Sequence, residues 1–198
     1  MTTKKPAPKS DDFRWDLRQW KSAAELKAHL ANHDPSIAPW ARGVVVHHTF
    51  RPEERHWRGA QTMTGIKQYY EGLGWDAGPH LFICVGAPNP ADDGIWQMTA
   101  LNERGIHATT ANSWAWGIEV VGYFDYKPWS PAQRTLVLDT VEVLLRWRNL
   151  VPSKETVKGH REVPSKKTCP GIQVDMSEVR KELIRRFVTP EWGQWQTP

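Results

Sequence analysis

The stretch Gly43-Val44-Val45-Val46-His47-His48-Thr49 is short, apolar and β-branched, and such a run reads as a strand covered on both faces. Leu81 to Val85 and Ile95 to Thr99 read as two consecutive strands. The segment between them, Gly86 to Gly94, carries two Pro, one Asn and two Asp, which is turn chemistry throughout. Gly117-Ile118-Glu119-Val120-Val121-Gly122 is a further buried strand with one conspicuous carboxylate.

Helical patterns lie between and after these runs. Ala23, Leu26 and Leu30 recur at helical spacing within Ser22 to Leu30. From Thr62 to Leu73, residues Met63, Ile66, Tyr69, Tyr70 and Leu73 share one face, and Gly72 and Gly74 mark the end. Ser130-Pro131-Ala132-Gln133 places a cap, a first-turn proline and a reciprocating Gln, which opens the strongest helix, apolar on more than one side through Leu150. Asp175-Met176-Ser177-Glu178 reads as a second capping box. It starts a helix with Val179, Leu183, Ile184 and Phe187 on one face and Arg180, Lys181, Arg185 and Arg186 on the other. Strands alternating with helices predict a single α/β domain: a central mixed, mostly parallel β-sheet flanked by helices on both faces. The expected boundaries are a disordered basic tail over 1–12, the domain over 13–190 and a C-terminal tail over 191–198.

The chain has 198 residues, is 39% apolar and 24% charged, and holds no apolar run near the roughly 20 residues of a membrane-spanning helix. Intrinsic disorder, a membrane span and a disulfide scaffold are excluded. Met1 to Asp12 has no apolar core of a secretory signal, which predicts synthesis in a cytoplasm. Cys84 and Cys169 are too few for a disulfide framework, so one reads as a core residue and the other as a reactive or metal-binding thiolate. The net charge of +4 and pI of about 9.1 favour an anionic partner. No nucleic-acid-binding motif accompanies that charge, so nucleic acid is not an expected partner. Of the 12 Trp, about two thirds are expected in the core, with Trp57, Trp75, Trp114 and Trp116 around a groove.

Three segments carry metal-ligand residue types. They are His47-His48 at the end of a buried strand, Gly159-His160-Arg161, and Lys167-Thr168-Cys169-Pro170-Gly171. His160 and Cys169 are nine positions apart, across a loop that can turn both side chains toward one point. Two imidazoles and a thiolate suit Zn2+, with a fourth position left for water. Strand alternation alone does not choose between His47 and His48.

Five motifs in order extend this pattern: Val44 to Thr49, Gly74 to Phe82, Gly105-Ile106-His107-Ala108, Trp116 to Gly122, and Gly159 to Gly171. Together they resemble the type-2 N-acetylmuramoyl-L-alanine amidases, a family that includes phage endolysins, cytoplasmic anhydromuropeptide amidases and peptidoglycan recognition proteins. The resemblance implies His47, His160 and Cys169 as Zn2+ ligands. It implies Glu119 as the base beside the zinc water, and Lys167 as the cation that stabilises the oxyanion. It also implies a muropeptide groove lined by His107 and Asn112. Trp75 and His80 are assigned to substrate binding as well, His80 with a hydrogen-bonded strand histidine as its alternative.

Where phage amidases often read Gly-Tyr-His-Phe, this chain has Gly78-Pro79-His80-Leu81, so the assisting Tyr is missing and the weight falls on Glu119. The implied activity is zinc-dependent cleavage between N-acetylmuramic acid and L-alanine of peptidoglycan. The expected role is that of a phage or prophage endolysin, made in host cytoplasm, monomeric, and acting on the cell wall in lysis. Non-catalytic recognition proteins typically lose the ligand Cys, which is present here. A cytoplasmic recycling amidase shares the chemistry and differs in substrate size. The cationic C-terminal helix can meet an anionic membrane or lipopolysaccharide, or simply pack on the sheet. His29, His33 and His56 read as surface residues.

Overall fold

A computed structural model describes residues 14–189. The tails expected at 1–12 and 191–198 lie outside the described residues. The strands are β1 (Trp15–Trp20), β2 (Val44–His48), β3 (Leu81–Cys84), β4 (Gly94–Thr99), β5 (Trp116–Val120) and β6 (Val157–Gly159). The helices are α1 (Ala23–Leu30), α2 (Ala60–Gly72), α3 (Pro131–Trp147) and α4 (Met176–Val188). They form one α/β domain around a six-stranded sheet of order β1-β4-β3-β5-β2-β6. β3, β5, β2 and β6 run parallel, while β4 and β1 add antiparallel on the far side. The short Pro/Asp-rich turn between β3 and β4 allows only an antiparallel return, whereas the parallel pairs need longer crossovers.

β1 escapes a sequence reading. Trp15-Asp16-Leu17-Arg18-Gln19-Trp20 has no clean alternation, its pairing to β4 slips between Trp15 and Arg18, and only Trp20 is buried. It is an edge strand, and edges tolerate charge and irregularity.

The two faces of the sheet hold different things. Val44 and Val46 of β2, Leu81 and Ile83 of β3, and Trp116, Ile118 and Val120 of β5 pack under α1, α3 and α4. From α3, Val137, Leu138, Val141, Leu144 and Leu145 are buried, each worth about 1.5–3 kcal/mol of apolar transfer. The opposite face packs Phe82, Cys84, Trp96, Met98 and Val121 against Met63 of α2 and Trp57. Cys84 is thus a core residue. Trp57 and Trp116 are fully buried rather than lining a groove, because each fills one of these cores. On α2, Met63 is buried and Ile66 and Tyr70 are half-buried, but Tyr69 and Leu73 are exposed, so the apolar face is narrower than its spacing suggests.

The α3 capping box forms in full between Ser130 and Gln133. At α4 only half forms: Asp175 accepts from the Ser177 and Glu178 amides, while the Glu178 carboxylate pairs with Lys181. The α4 helix packs on the core through Met176, Val179 and Leu183. Its cations are engaged within the chain, Arg180 with Glu162 and Arg186 with Asp139, Glu142 and Glu182. No helix among the described residues is long and apolar enough to cross a membrane. His33 and His56 are exposed, but His29 is half-buried, its ring between Trp20 and His33.

Candidate metal centre

β2 and β5 lie side by side and parallel, with His47 opposite Glu119. Alternation along a strand sends every second side chain to the same face. Val44 and Val46 face the helices, so His48 starts from the helix side and His47 points with Val45 to the other. The tertiary assignment of faces therefore selects His47, which the sequence pattern alone left open.

His160 begins a short 3-10 turn directly after β6, the strand beside β2. Cys169 returns to the same point because Arg161 staples the loop. The Arg161 amide donates to the Cys169 carbonyl at 2.7 Å, and its guanidinium donates to the carbonyls of Thr168 and Gly171. Asp125 anchors the far side, accepting from the Thr168 hydroxyl and the Ile172 amide. The result is one ligand atom each from His47, His160 and Cys169, all within 4.8 Å of one another. All three residues are buried.

The protonation pattern fits a metal. Histidine 107 donates its Nε2–H to the Ala115 carbonyl at 2.9 Å, since a carbonyl only accepts. Burial holds this imidazole neutral, its pKa lowered to about 4, so Nδ1 is a bare acceptor. It lies 3.1 Å from His47 Nε2, which must then carry the proton. Burial lowers the pKa of His47 well below the usual range, the neighbouring His107 adding to it. The neutral His47 ring is thereby left with a lone pair on Nδ1, 3.6 Å from the Cys169 sulfur. Burial also lowers the pKa of His160. Burial raises that of Cys169, and the His48 amide opposes it by donating to Sγ at 3.4 Å. Two neutral imidazoles and a buried thiol that a cation would deprotonate form a donor set suited to Zn2+.

Glu119 completes the centre. Its Oε1 is 3.9 Å from His47 Nδ1, and its Oε2 is buried without a hydrogen-bond partner. Burial pushes its pKa up to about 8, the Lys167 ammonium working against this. An unpaired carboxylate oxygen at such a point is costly unless a cation or a proton meets it. The surrounding cavity, of about 750 Å³, is lined by His47, His160, Cys169, Glu119, Lys167 and Trp75 among others.

The remaining assignments divide. Trp75 stacks on Tyr70 with ring centroids 5.1 Å apart and lines the cavity. His107 also reaches the cavity, but its polar atoms are committed to His47 and Ala115. Asn112 does not line the cavity: its Oδ1 accepts the amides of His107 and Ala108 and fixes the turn carrying His107. His80 is fully buried and is not a groove residue; its Nε2 meets the Glu103 carbonyl and its Nδ1 accepts the Gly117 amide. Of the Trp residues expected near the groove, Trp114 is half-buried and packs with Val45, Ala111 and Val163 instead.

Gly117 explains the close seat of His107. A Cβ at this position would stand 2.4 Å from His107 Cγ, so the imidazole can lie against the β5 backbone only where no side chain intervenes. His107→Phe, which keeps the ring shape and removes both nitrogens, is expected to weaken zinc binding about 10- to 100-fold, as lost outer hydrogen bonds to metal-ligating histidines do. Competition with a chromophoric chelator measures this. Unchanged affinity would show that His47 needs no such support.

Sequence reasoning missed Tyr70, Arg161 and Asp125. Tyr70 counted only as a helix-face residue, yet it lines the cavity, where burial and the nearby Glu119 charge keep its phenol protonated. Arg161 and Asp125 act through backbone carbonyls and amides, and such contacts leave no spacing signature.

The fold and this constellation define an α/β domain with a His-His-Cys candidate metal site in an open cavity beside a buried carboxylate. Residues 36–172 match the model of the N-acetylmuramoyl-L-alanine amidase family, and the chain belongs to that family. A search of curated protein sequences found no match. Among solved structures, the chain is similar to the endolysin N-acetylmuramoyl-L-alanine amidase LysCS from Clostridium intestinale, with 23% identity, TM-score 0.53, and 73% of this chain and 84% of that one covered. It is also similar to a point mutant of Drosophila peptidoglycan recognition protein LB in complex with tracheal cytotoxin, at 16% identity, TM-score 0.59 and 93% and 90% coverage. Drosophila peptidoglycan recognition protein SA gives 21% identity, TM-score 0.58 and 80% and 82% coverage. At these identities the likeness is one of fold.

Proposed function

We propose that the chain is a zinc-dependent amidase that hydrolyses the bond between the lactyl group of N-acetylmuramic acid and the L-alanine of the peptidoglycan stem. The observation that carries this is the meeting of His47, His160 and Cys169 beside the unpartnered Glu119 oxygen in an open cavity. Family membership gives the substrate class. His47, His160 and Cys169 would hold the zinc, which when bound would supply Lewis acidity toward the scissile carbonyl and toward a water, whose pKa falls toward about 7. Glu119 Oε2 takes the proton from the attacking water and hands it to the departing alanine nitrogen as the carbon–nitrogen bond breaks. The Lys167 ammonium faces the carbonyl oxygen as negative charge develops on it. The His107–His47 hydrogen bond holds the first ligand in its binding tautomer.

The biological role we assign is that of a phage or prophage endolysin acting on the wall polymer. The basic charge, which favours anionic polymers, and a fold shared with LysCS support it. Digestion of purified sacculi with and without chelator tests both parts. The expected result is new alanine amino termini, suppressed by chelator, and no new reducing sugars. Reducing ends would indicate a glycosidase. Turnover confined to soluble anhydromuropeptides would indicate a recycling enzyme, and binding without any new ends a recognition module.

A further inference from the structure

Immediately beyond the metal-ligand strand the backbone does something unusual. Phe50 has φ +58°, a conformation that costs a bulky residue strain and that glycine adopts freely. The Arg51 amide folds back onto the Thr49 carbonyl around it, closing a tight three-residue turn, and the Phe50 amide bonds Gly122 at 3.0 Å. The ring so presented is not used for packing the core: it is 49% exposed. It meets Tyr123 edge-on at 4.5 Å, and Tyr123 meets Tyr126 edge-on at 4.9 Å. Tyr126 is 82% exposed. Phe50 and Tyr123 line the same cavity as the metal cluster.

Three aromatic rings, Tyr126 largely in water, Tyr123 half-buried, and Phe50 half-exposed on a strained turn, form a ledge at the mouth of the site. Strain that persists at a cleft without serving the core points to a ligand. Phe50 stands three residues past His47, beyond the end of β2, so its ring lines the cavity without belonging to the His47–His160–Cys169 cluster. Flat apolar rings with phenolic edges suit the C–H face of a pyranose, whose hydroxyl and acetamido groups remain at the rim.

We propose that Phe50, Tyr123 and Tyr126 form a saccharide-stacking subsite that holds the glycan strand of the polymer while the stem peptide enters the metal centre. This rests on the amidase reading only for the identity of the polymer. The test is titration of the full chain with peptide-free glycan strands of alternating N-acetylglucosamine and N-acetylmuramic acid, followed by NMR or intrinsic fluorescence. Phe50→Gly and Tyr126→Ala are each expected to weaken binding about three- to tenfold, the size of one aromatic stacking contact. Leu73→Ala, exposed at the end of α2 and outside the cavity lining, is expected to leave it unchanged. Phe50→Gly relieves the positive φ, so its Tm should equal or exceed that of the parent; Phe50→Asn, also tolerant of this conformation, is the second check. Absence of glycan binding by the parent, or equal binding by parent and both Phe50 variants, overturns the proposal. Because these strands contain no scissile amide, binding to them is independent of turnover; glycan binding by a chain that releases no new alanine termini from sacculi would sink the amidase reading and leave the subsite standing.

Discussion

Glu119→Gln is expected to lower kcat on sacculi by about 10²- to 10⁴-fold, the range for loss of a general acid–base group, with KM little changed. The same substitution is expected to make the metal-free chain more stable at neutral pH. Burial places the Glu119 pKa at about 8 in the folded chain, whereas an unfolded carboxylate titrates at about 4.3. Between those values the folded chain holds a proton that the unfolded chain has released. Stability therefore falls as pH rises from about 4.3 to about 8, and is flat above. Glutamine has no charge to desolvate and removes this loss. In the presence of chelator, the Tm advantage of Glu119→Gln should be small at pH 5 and grow to several degrees at pH 8, with 1 kcal/mol corresponding to about 2–4 °C at this chain length. The difference between the two proteins cancels the titration of histidines elsewhere in the site. An advantage equal at both pH values would show that Glu119 already has a partner. Lower kcat with higher stability is the signature of a group kept for chemistry rather than for folding.

Cys169→Ala is expected to lose zinc and turnover together. With Cys169 as one of three candidate ligands among the described residues, the loss in affinity should exceed the about 10- to 100-fold that accompanies a lost outer hydrogen bond. Metal analysis after dialysis should find well under one zinc per chain, against one for the parent. Cys169→Asp keeps an anionic oxygen ligand and should recover part of the zinc, which separates ligation from packing. The fold should survive either change, because Arg161 holds the loop by backbone carbonyls that neither substitution touches. If Cys169→Ala keeps full zinc, the cluster is not the metal site. If it loses zinc while the rate of new alanine termini is unchanged, the hydrolysis does not use the metal.

Much of this was legible in the chain itself. The β-branched run at Val44 to Val46, the carboxylate inside the Gly117 to Gly122 strand and the Ser130 cap each follow from local rules: side-chain stiffness, turn chemistry and satisfaction of free helix-end amides. So does the choice of ligand types, since His and Cys at strand ends and loop returns have few roles beyond metal or packing. Burial and pairing were less legible. Trp57 and Trp116 sit beside the motifs in sequence yet fill the core, and His80, within a motif, is sealed by Glu103 and Gly117.

By itself, then, the sequence determined that an α/β sheet would form and which side chains had the chemistry for a metal, because both depend on residue type and short-range spacing. Only the tertiary structure showed that His47 rather than His48 joins His160 and Cys169, since that depends on which sheet face α1, α3 and α4 cover. It alone made His107, which also lines the cavity, the hydrogen-bond partner of His47, through a contact spanning 60 residues that forms only when β2 and β5 lie together with no side chain on Gly117.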